Sequence, residues 1–183
     1  CKINRMVANI DKTKAMLITT YQKEAKLPRP TLNVLYDDIP LENVECEKLL
    51  GVMVDKHLTW KHHVDKTCKT ISKNIALFRR IKRYLPHETR LTYYKAYIQP
   101  HLDYCNTVWG LSTHVTRIHI LQKMVLRLIM NVPKLTHSAP LFQECGVMTI
   151  QNRVKFRTVT MVYKALNGLQ TSNFNFKLQT SFI

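Results

Sequence analysis

Only four of the 183 residues are glycine, and 12 Asp+Glu stand against 28 Lys+Arg, a formal charge of +16 at pH 7. So little glycine leaves scant room for a phosphate-cradling Gly-x-x-x-x-Gly-Lys loop or a Gly-x-Ser-x-Gly nucleophile elbow, and neither motif occurs. No apolar run approaches the roughly 18 residues that a bilayer span needs, and no basic-then-apolar leader opens the chain. The five cysteines (1, 46, 68, 105, 145) are odd in number and widely spaced. That is no disulfide framework, and a reducing, intracellular compartment is the expectation. Eight histidines (57, 62, 63, 87, 101, 114, 119, 137) supply no metal-ligand set. His101 and Cys105 are four apart, but no second pair at zinc spacing accompanies them. What is present in quantity is apolar residue, 45%, which excludes collagen-like, low-complexity and wholly disordered chains. The length suits one ordinary domain, or a small one plus a piece of another. A first residue of Cys1 rather than Met points to part of a longer protein.

The positive charge is unevenly placed. Residues 1–60 hold nine basic and eight acidic residues, residues 61–100 ten and two, and residues 101–183 nine and two. A near-neutral first third is thus joined to a strongly basic remainder. The counterpart of such a surface is a polyanion, nucleic acid first and an acidic membrane second; the plain alternative is a basic, solubilising surface.

Along the chain, residues 1–10 could end a helix and Lys14–Thr19 reads as a strand. After the breaker Leu27-Pro-Arg-Pro30, Leu32–Tyr36 alternates at period 2, and Leu49–Val54 is another apolar strand candidate. The period then changes. Val64, Cys68, Ile71, Ile75, Phe78 and Ile81 recur at three and four, one stripe of a helix, with Lys66, Lys69, Lys73 and Arg80 on the opposite side. Further helices are expected from Pro86 through Tyr97, then, past a break or kink at Pro100, over 101–109, and over 115–130, 139–144 capped by Gly146, and 150–166 closed by Asn167-Gly168. The polar tail from Thr171 reads as irregular. The fold class is α+β, mostly α: a small antiparallel β unit followed by a helical bundle.

Three constellations carry chemistry. Tyr36-Asp37-Asp38 pairs carboxylates beside an aromatic, as a two-Mg²⁺ polymerase site does. Ile39-Pro40 directly after it reads instead as a hairpin, with the aspartates as turn formers. Tyr93, Tyr94 and Tyr97 could stack on bases, but their spacing turns at least one of them inward, and core packing is the weightier reading. The Lys66–Arg80 stripe has Asp65 as almost its only acid, which favours a phosphate-contacting face over a mixed-charge solvated one.

Several segments, taken in order, resemble the reverse transcriptases of non-LTR (LINE, jockey-like) retrotransposons. These are Asn9-Ile-Asp-Lys12-Thr13-Lys14-Ala-Met16, Cys46-Glu-Lys48-Leu49-Leu50-Gly51-Val52-Met-Val-Asp55 and Leu58-Thr59-Trp60-Lys-His62-His63-Val64. Arg79-Arg80-Ile-Lys82-Arg-Tyr84-Leu85-Pro86, Ile98-Gln-Pro100-His101-Leu102-Asp103-Tyr104-Cys105, Val108-Trp109-Gly110 and Leu121-Gln122-Lys123 continue the match, which covers roughly residues 1–168. The resemblance implies that residues 1–57 are the end of a polymerase palm, 58–168 the thumb and the helical region after it, and 169–183 an irregular tail.

It also implies roles. Lys12 would donate a proton to departing pyrophosphate, lowering its charge in the transition state. Lys48, Leu49, Leu50 and Gly51 would form the primer-grip hairpin, where a residue without Cβ lets another backbone come close. Lys66, Lys69, Lys73, Arg79, Arg80 and Arg83 would hold the primer–template hybrid of RNA and DNA. The fingers and the palm segment with the metal-binding aspartates lie outside this sequence, so Mg²⁺ is expected for the full-length parent and no cofactor for this chain. After Asn167-Gly168 the sequence departs from the family pattern, and no Cys–His knuckle follows. The reading is a fragment of an RNA-directed DNA polymerase that grips nucleic acid and does not polymerise alone. The rivals are a free-standing or host-adopted basic helical RNA/DNA-binding module, and a relic without a role. No membrane partner is expected.

Overall fold

The computed structural model describes residues 9–28 and 32–169. The expected helix end before residue 9 and the tail after 169 lie outside them. The chain divides into two compact units, Cys1–Asp65 and Lys66–Ile183.

The first unit is built from short strands, in chain order β1 (Lys14–Ala15), β2 (Leu35–Tyr36), β3 (Ile39–Pro40), β4 (Glu42–Asn43), β5 (Cys46–Leu49) and β6 (Val52–Asp55). They make three two-stranded ladders: β2 with β3 and β5 with β6 antiparallel, as expected, and β1 with β4 parallel. The strand expected over Lys14–Thr19 stops at Ala15, because the following backbone bonds elsewhere. Thr19 N–H donates to Lys56 O, and the Thr19 carbonyl accepts from His57 Nδ1 at 3.0 Å. The four-residue helix α1 (Tyr21–Glu24), capped by the Thr20 hydroxyl, is fixed to the same place. Its Tyr21 ring stacks on His57 at 3.6 Å, and Glu24 meets His57 Nε2 at 3.1 Å and Lys56 Nζ at 3.0 Å.

Asp37 and Asp38 are the turn between β2 and β3. Both have left-handed φ, 49° and 63°, which Asp tolerates better than most residues. The expectation over Leu49–Val54 is corrected: Leu50-Gly51 breaks it into a hairpin at φ 45° and 89°. Apolar character alone does not reveal that reversal. The signal was Gly51, which reaches such a φ without steric cost.

Asp55, buried at the end of β6, organises the exit from this hairpin. Its Oδ1 accepts from the N–H of Thr59 at 2.9 Å and of His57 at 3.3 Å, and its Oδ2 from Trp60 N–H at 2.8 Å. Those bonds hold Leu58 and Trp60 at positive φ, 53° and 62°, a strained pair that unsatisfied N–H groups would not sustain. Burial alone would push the Asp55 carboxyl up. The Thr59 and Trp60 N–H groups, the Thr59 hydroxyl and the His57 N–H outweigh it and hold the carboxyl below its ordinary 3.8. A depressed folded pKa contributes stability above the unfolded value, and that stability is lost as pH falls through the folded one. Asp55→Asn is therefore expected to destabilise this unit by roughly 2 kcal/mol at pH 7 and by progressively less below pH 3.8. Urea unfolding followed by Trp60 fluorescence, with Trp109→Phe as background, checks both numbers.

The helix α2 (Lys61–Ile81) begins in the first unit and runs into the second. Val64, Cys68, Ile71, Ile75 and Phe78 are buried along it as their spacing requires, and Ile81 is half-buried. A 3-10 turn over Lys82–Tyr84 leads to α3 (His87–Tyr97), and α4 (Gln99–Asp103) follows with Pro100 in its first turn, where no N–H is needed. The stretch expected over 101–109 is split, since Cys105 takes a left-handed φ of 49° and α5 (Asn106–Trp109) starts anew. Then come α6 (Thr116–Ile129), α7 (Ala139–Glu144) and α8 (Ile150–Leu166). Gly146 and Gly168, at φ 60° and 64°, stand just beyond the last two, as C-terminal glycines do.

Three residues lock this bundle. The Gln122 amide on α6 donates to the Tyr94 hydroxyl at 2.8 Å and the Met148 carbonyl at 2.9 Å, while its oxygen accepts the Ile150 N–H at 2.9 Å. Asp103 on α4 takes both bonds from Arg153 Nη1 on α8, at 2.9 and 3.1 Å. Gly110 lets α5 approach α8, since a Cβ there would overlap the Asn106 carbonyl oxygen and Val154 Cγ2. The α+β, mostly α class is therefore what forms.

Candidate nucleic-acid interface

Lys66, Lys69, Lys73 and Arg80 are all exposed on α2. At 3.6 residues per turn they fall within an arc of about 60°, diametrically across from the buried stripe, and span roughly 21 Å of axis. A single helix thus carries a core-facing side and a rail of four like charges. Like charges at i, i+3 and i+4 repel one another, so this rail costs the isolated helix stability. The last turn is the exception, where Arg79 and Arg80 meet the negative end of the helix dipole.

Arg79 and Arg83 do not sit on the rail. Arg79 Nη2 reaches Met124 Sδ at 3.0 Å, and Arg83 lies in the 3-10 turn with its guanidinium 4.7 Å over the Tyr84 ring. Lys82 is tied to Asn131 Oδ1 at 3.0 Å. The helix end is therefore a cationic corner rather than a continuation of the row.

The remaining expected site residues belong to the first unit. At the hairpin tip Lys48 is exposed, and Leu49 and Leu50 are 64% and 84% exposed. A single exposed leucine is ordinary, whereas these two are adjacent and Leu50 has left-handed backbone, φ 45°. Lys12 is exposed in a 3-10 turn (Ile10–Lys12) that Asn9 caps, its N–H donating to Asn9 Oδ1 at 3.2 Å.

The tyrosine cluster resolves toward the core. Tyr93 is stacked between Phe78 and Tyr97 at 4.8 and 4.7 Å, with its hydroxyl donating to Asn74 O at 2.9 Å. Tyr94 is wholly buried, and burial pushes its phenol up to about 12, so it stays protonated beneath Gln122. Tyr97 is half exposed. The aromatic that sequence reasoning passed over is Tyr84, 70% exposed. Its signal was there: it follows a run with four cations in five residues and lies off the helical period.

The described residues do not fit the Mg²⁺ of a polymerase. Among the described residues no group of three or more His, Cys, Asp or Glu side chains could hold a metal ion, and Asp37-Asp38 form an exposed turn. Among them, too, no helix is long and apolar enough to cross a membrane.

Comparison with known proteins finds relatives of the kind that the motifs resemble. The chain is 27% identical over 128 residues to a probable RNA-directed DNA polymerase from transposon X-element of Drosophila melanogaster, covering 66% of this chain and 14% of that protein. It is 28% identical over 123 residues to the RNA-directed DNA polymerase from mobile element jockey of Drosophila funebris, covering 63% and 13%. No family model and no solved structure matches. The chain thus spans 14% and 13% of the lengths of these two relatives. In sequence it resembles a segment of the RNA-directed DNA polymerases of jockey-like, non-LTR retrotransposons.

Proposed function

We propose that this chain is the gripping portion of a reverse transcriptase, which holds the primer–template hybrid through its sugar–phosphate backbone. Residues 1–57 would be the end of the palm, and residues 58–168 the thumb and the helical region after it. The observation that carries the reading is the single-sign rail of Lys66, Lys69, Lys73 and Arg80, exposed on one side of α2. Contacts of that kind supply affinity and position without reading base sequence, which suits an enzyme that must hold every template it copies. The exposed tip Lys48-Leu49-Leu50-Gly51 would bear on the primer end. Lys12 would serve as proton donor to the leaving pyrophosphate once the parent's own carboxylates complete the site. Apart from Lys12, the residues assigned here would supply binding rather than chemistry.

The test is fluorescence anisotropy with a labelled RNA–DNA hybrid across a salt series. The wild-type chain is expected to bind with a steep inverse dependence on salt. Changing Lys66, Lys69, Lys73 and Arg80 together to Gln should make the log–log slope shallower by about 3 to 4, near one counterion per lost contact. Circular dichroism would confirm that the variant keeps its helices. An unchanged slope would move the interface off α2 and sink the proposal.

A further inference from the structure

We infer that Tyr84, backed by Arg83, is a stacking platform for an unpaired nucleobase flanking the duplex held by α2. This rests on the nucleic-acid reading of α2 and specifies its ligand more narrowly. Four observations converge on it. The Tyr84 residue is 70% exposed, although a tyrosine ring gains most from burial. The Arg83 guanidinium covers one ring face, with its carbon 4.7 Å from the centroid, which orients the ring and leaves the other face for a planar group. The pair sits in the 3-10 turn that directly follows α2, three and four residues after Arg80, so it adjoins the end of the rail in the chain.

The fourth observation is that the turn carrying the ring is tied down. Leu85 N–H closes the 3-10 turn on the Lys82 carbonyl at 3.2 Å, and Lys82 Nζ is anchored to Asn131. Arg90 Nε donates to the Leu85 carbonyl at 2.9 Å and its Nη1 to Ile129 O at 3.3 Å, fastening the turn to the end of α6. A ring carried on a fixed turn has less freedom to lose when a base settles on it.

The ligand chemistry follows from what a duplex exposes. Paired bases inside a duplex present only their edges in the grooves, whereas an unpaired base can turn a whole π-face outward. A rail that tracks phosphates and then ends in an open ring therefore suits the junction where a hybrid gives way to single strand. Any base will do, because every base has such a face.

The experiment compares one hybrid in three forms: blunt, with a four-nucleotide 5′ extension, and with a four-nucleotide 3′ extension. Each extension carries 2-aminopurine next to the junction. The full chain, Tyr84→Ala and Tyr84→Phe are titrated with all three. The wild-type chain is expected to bind one extended form about tenfold more tightly than the blunt one and to quench its 2-aminopurine. Tyr84→Phe should retain both effects. Tyr84→Ala should lose both while binding the blunt hybrid as the wild type does. Equal affinity of the wild type for all three forms, an extension advantage that survives Tyr84→Ala, or a Tyr84→Ala loss that includes the blunt hybrid would each overturn the platform while leaving the rail intact. Failure of the wild type to bind any form would instead overturn the gripping function, and the platform with it.

Discussion

Replacing Gln122 with leucine is expected to cost the helical unit about 3 to 5 kcal/mol, although it leaves no sizeable cavity. Leucine is close to glutamine in volume, so packing changes little. What is lost is satisfaction of polar groups. Gln122 is 1% exposed and uses both amide hydrogens and its oxygen, on the Tyr94 hydroxyl, the Met148 carbonyl and the Ile150 N–H. Ile150 is wholly buried and opens α8, where the first N–H groups have no partner inside the helix. Without the Gln122 oxygen that N–H stays dry and unpaired, and the Tyr94 hydroxyl and Met148 carbonyl lose their donor. Each such group costs about 1 to 3 kcal/mol, less whatever water can reach. Urea unfolding followed by Trp109 fluorescence, with Trp60→Phe as background, measures the loss. Tyr94→Phe, which removes one of the three partners and keeps the helix start satisfied, should cost about 1 kcal/mol. If the two variants proved equally mild, Gln122 would not be the lock between α3, α6 and α8.

These two residues mark where sequence reading stopped. Periodicity exposed α2, because Val64, Cys68, Ile71, Ile75 and Phe78 repeat as one stripe and lysines fill the reverse face. Turn chemistry exposed Asp37-Asp38 and the helix ends at Gly146 and Gly168, where the local residue type dictates the backbone. It could not show that Gln122 reaches Ile150, 28 positions away, since a polar residue in an apolar run reads the same whether it faces water or a buried helix start. Nor could it divide α4 from α5, because Cys105 carries no marker of left-handed backbone. Within the candidate interface the rail was legible for the reason α2 was. The cation run before Tyr84 was legible too, but the exposure that makes its ring a platform was not, because that depends on where the 3-10 turn and α6 leave it. Asp55 stood inside a motif that the resemblance picked out, yet its task, holding the strained turn through Trp60, is visible only in the three N–H groups that converge on it.

Gly110→Ala is expected to destabilise the same unit by at least about 3 kcal/mol, although alanine at an ordinary backbone position is usually mild. Backbone freedom is not the issue, for Gly110 has φ −71°, open to every residue. Space is. The added methyl would overlap a main-chain oxygen, that of Asn106, and Val154 Cγ2. Val154 is 1% exposed, and the Asn106 oxygen already accepts the Gly110 N–H at 2.8 Å, so neither can step aside without moving α5 or α8. The neighbouring Trp109 is wholly buried and anchored through Nε1 to the Tyr104 carbonyl at 2.8 Å, which pins α5 from the other side. The overlap therefore predicts a specific rescue. Val154→Ala alone should cost about 2 kcal/mol by leaving a cavity, yet in the Gly110→Ala background it removes the clash with the valine and should cost less or restore stability. A coupling of about 1 kcal/mol or more in that double-mutant cycle, read from urea midpoints, is the expected result. Simple additivity would place the strain wholly on the Asn106 carbonyl and show that α8 does not set the distance at which α5 docks.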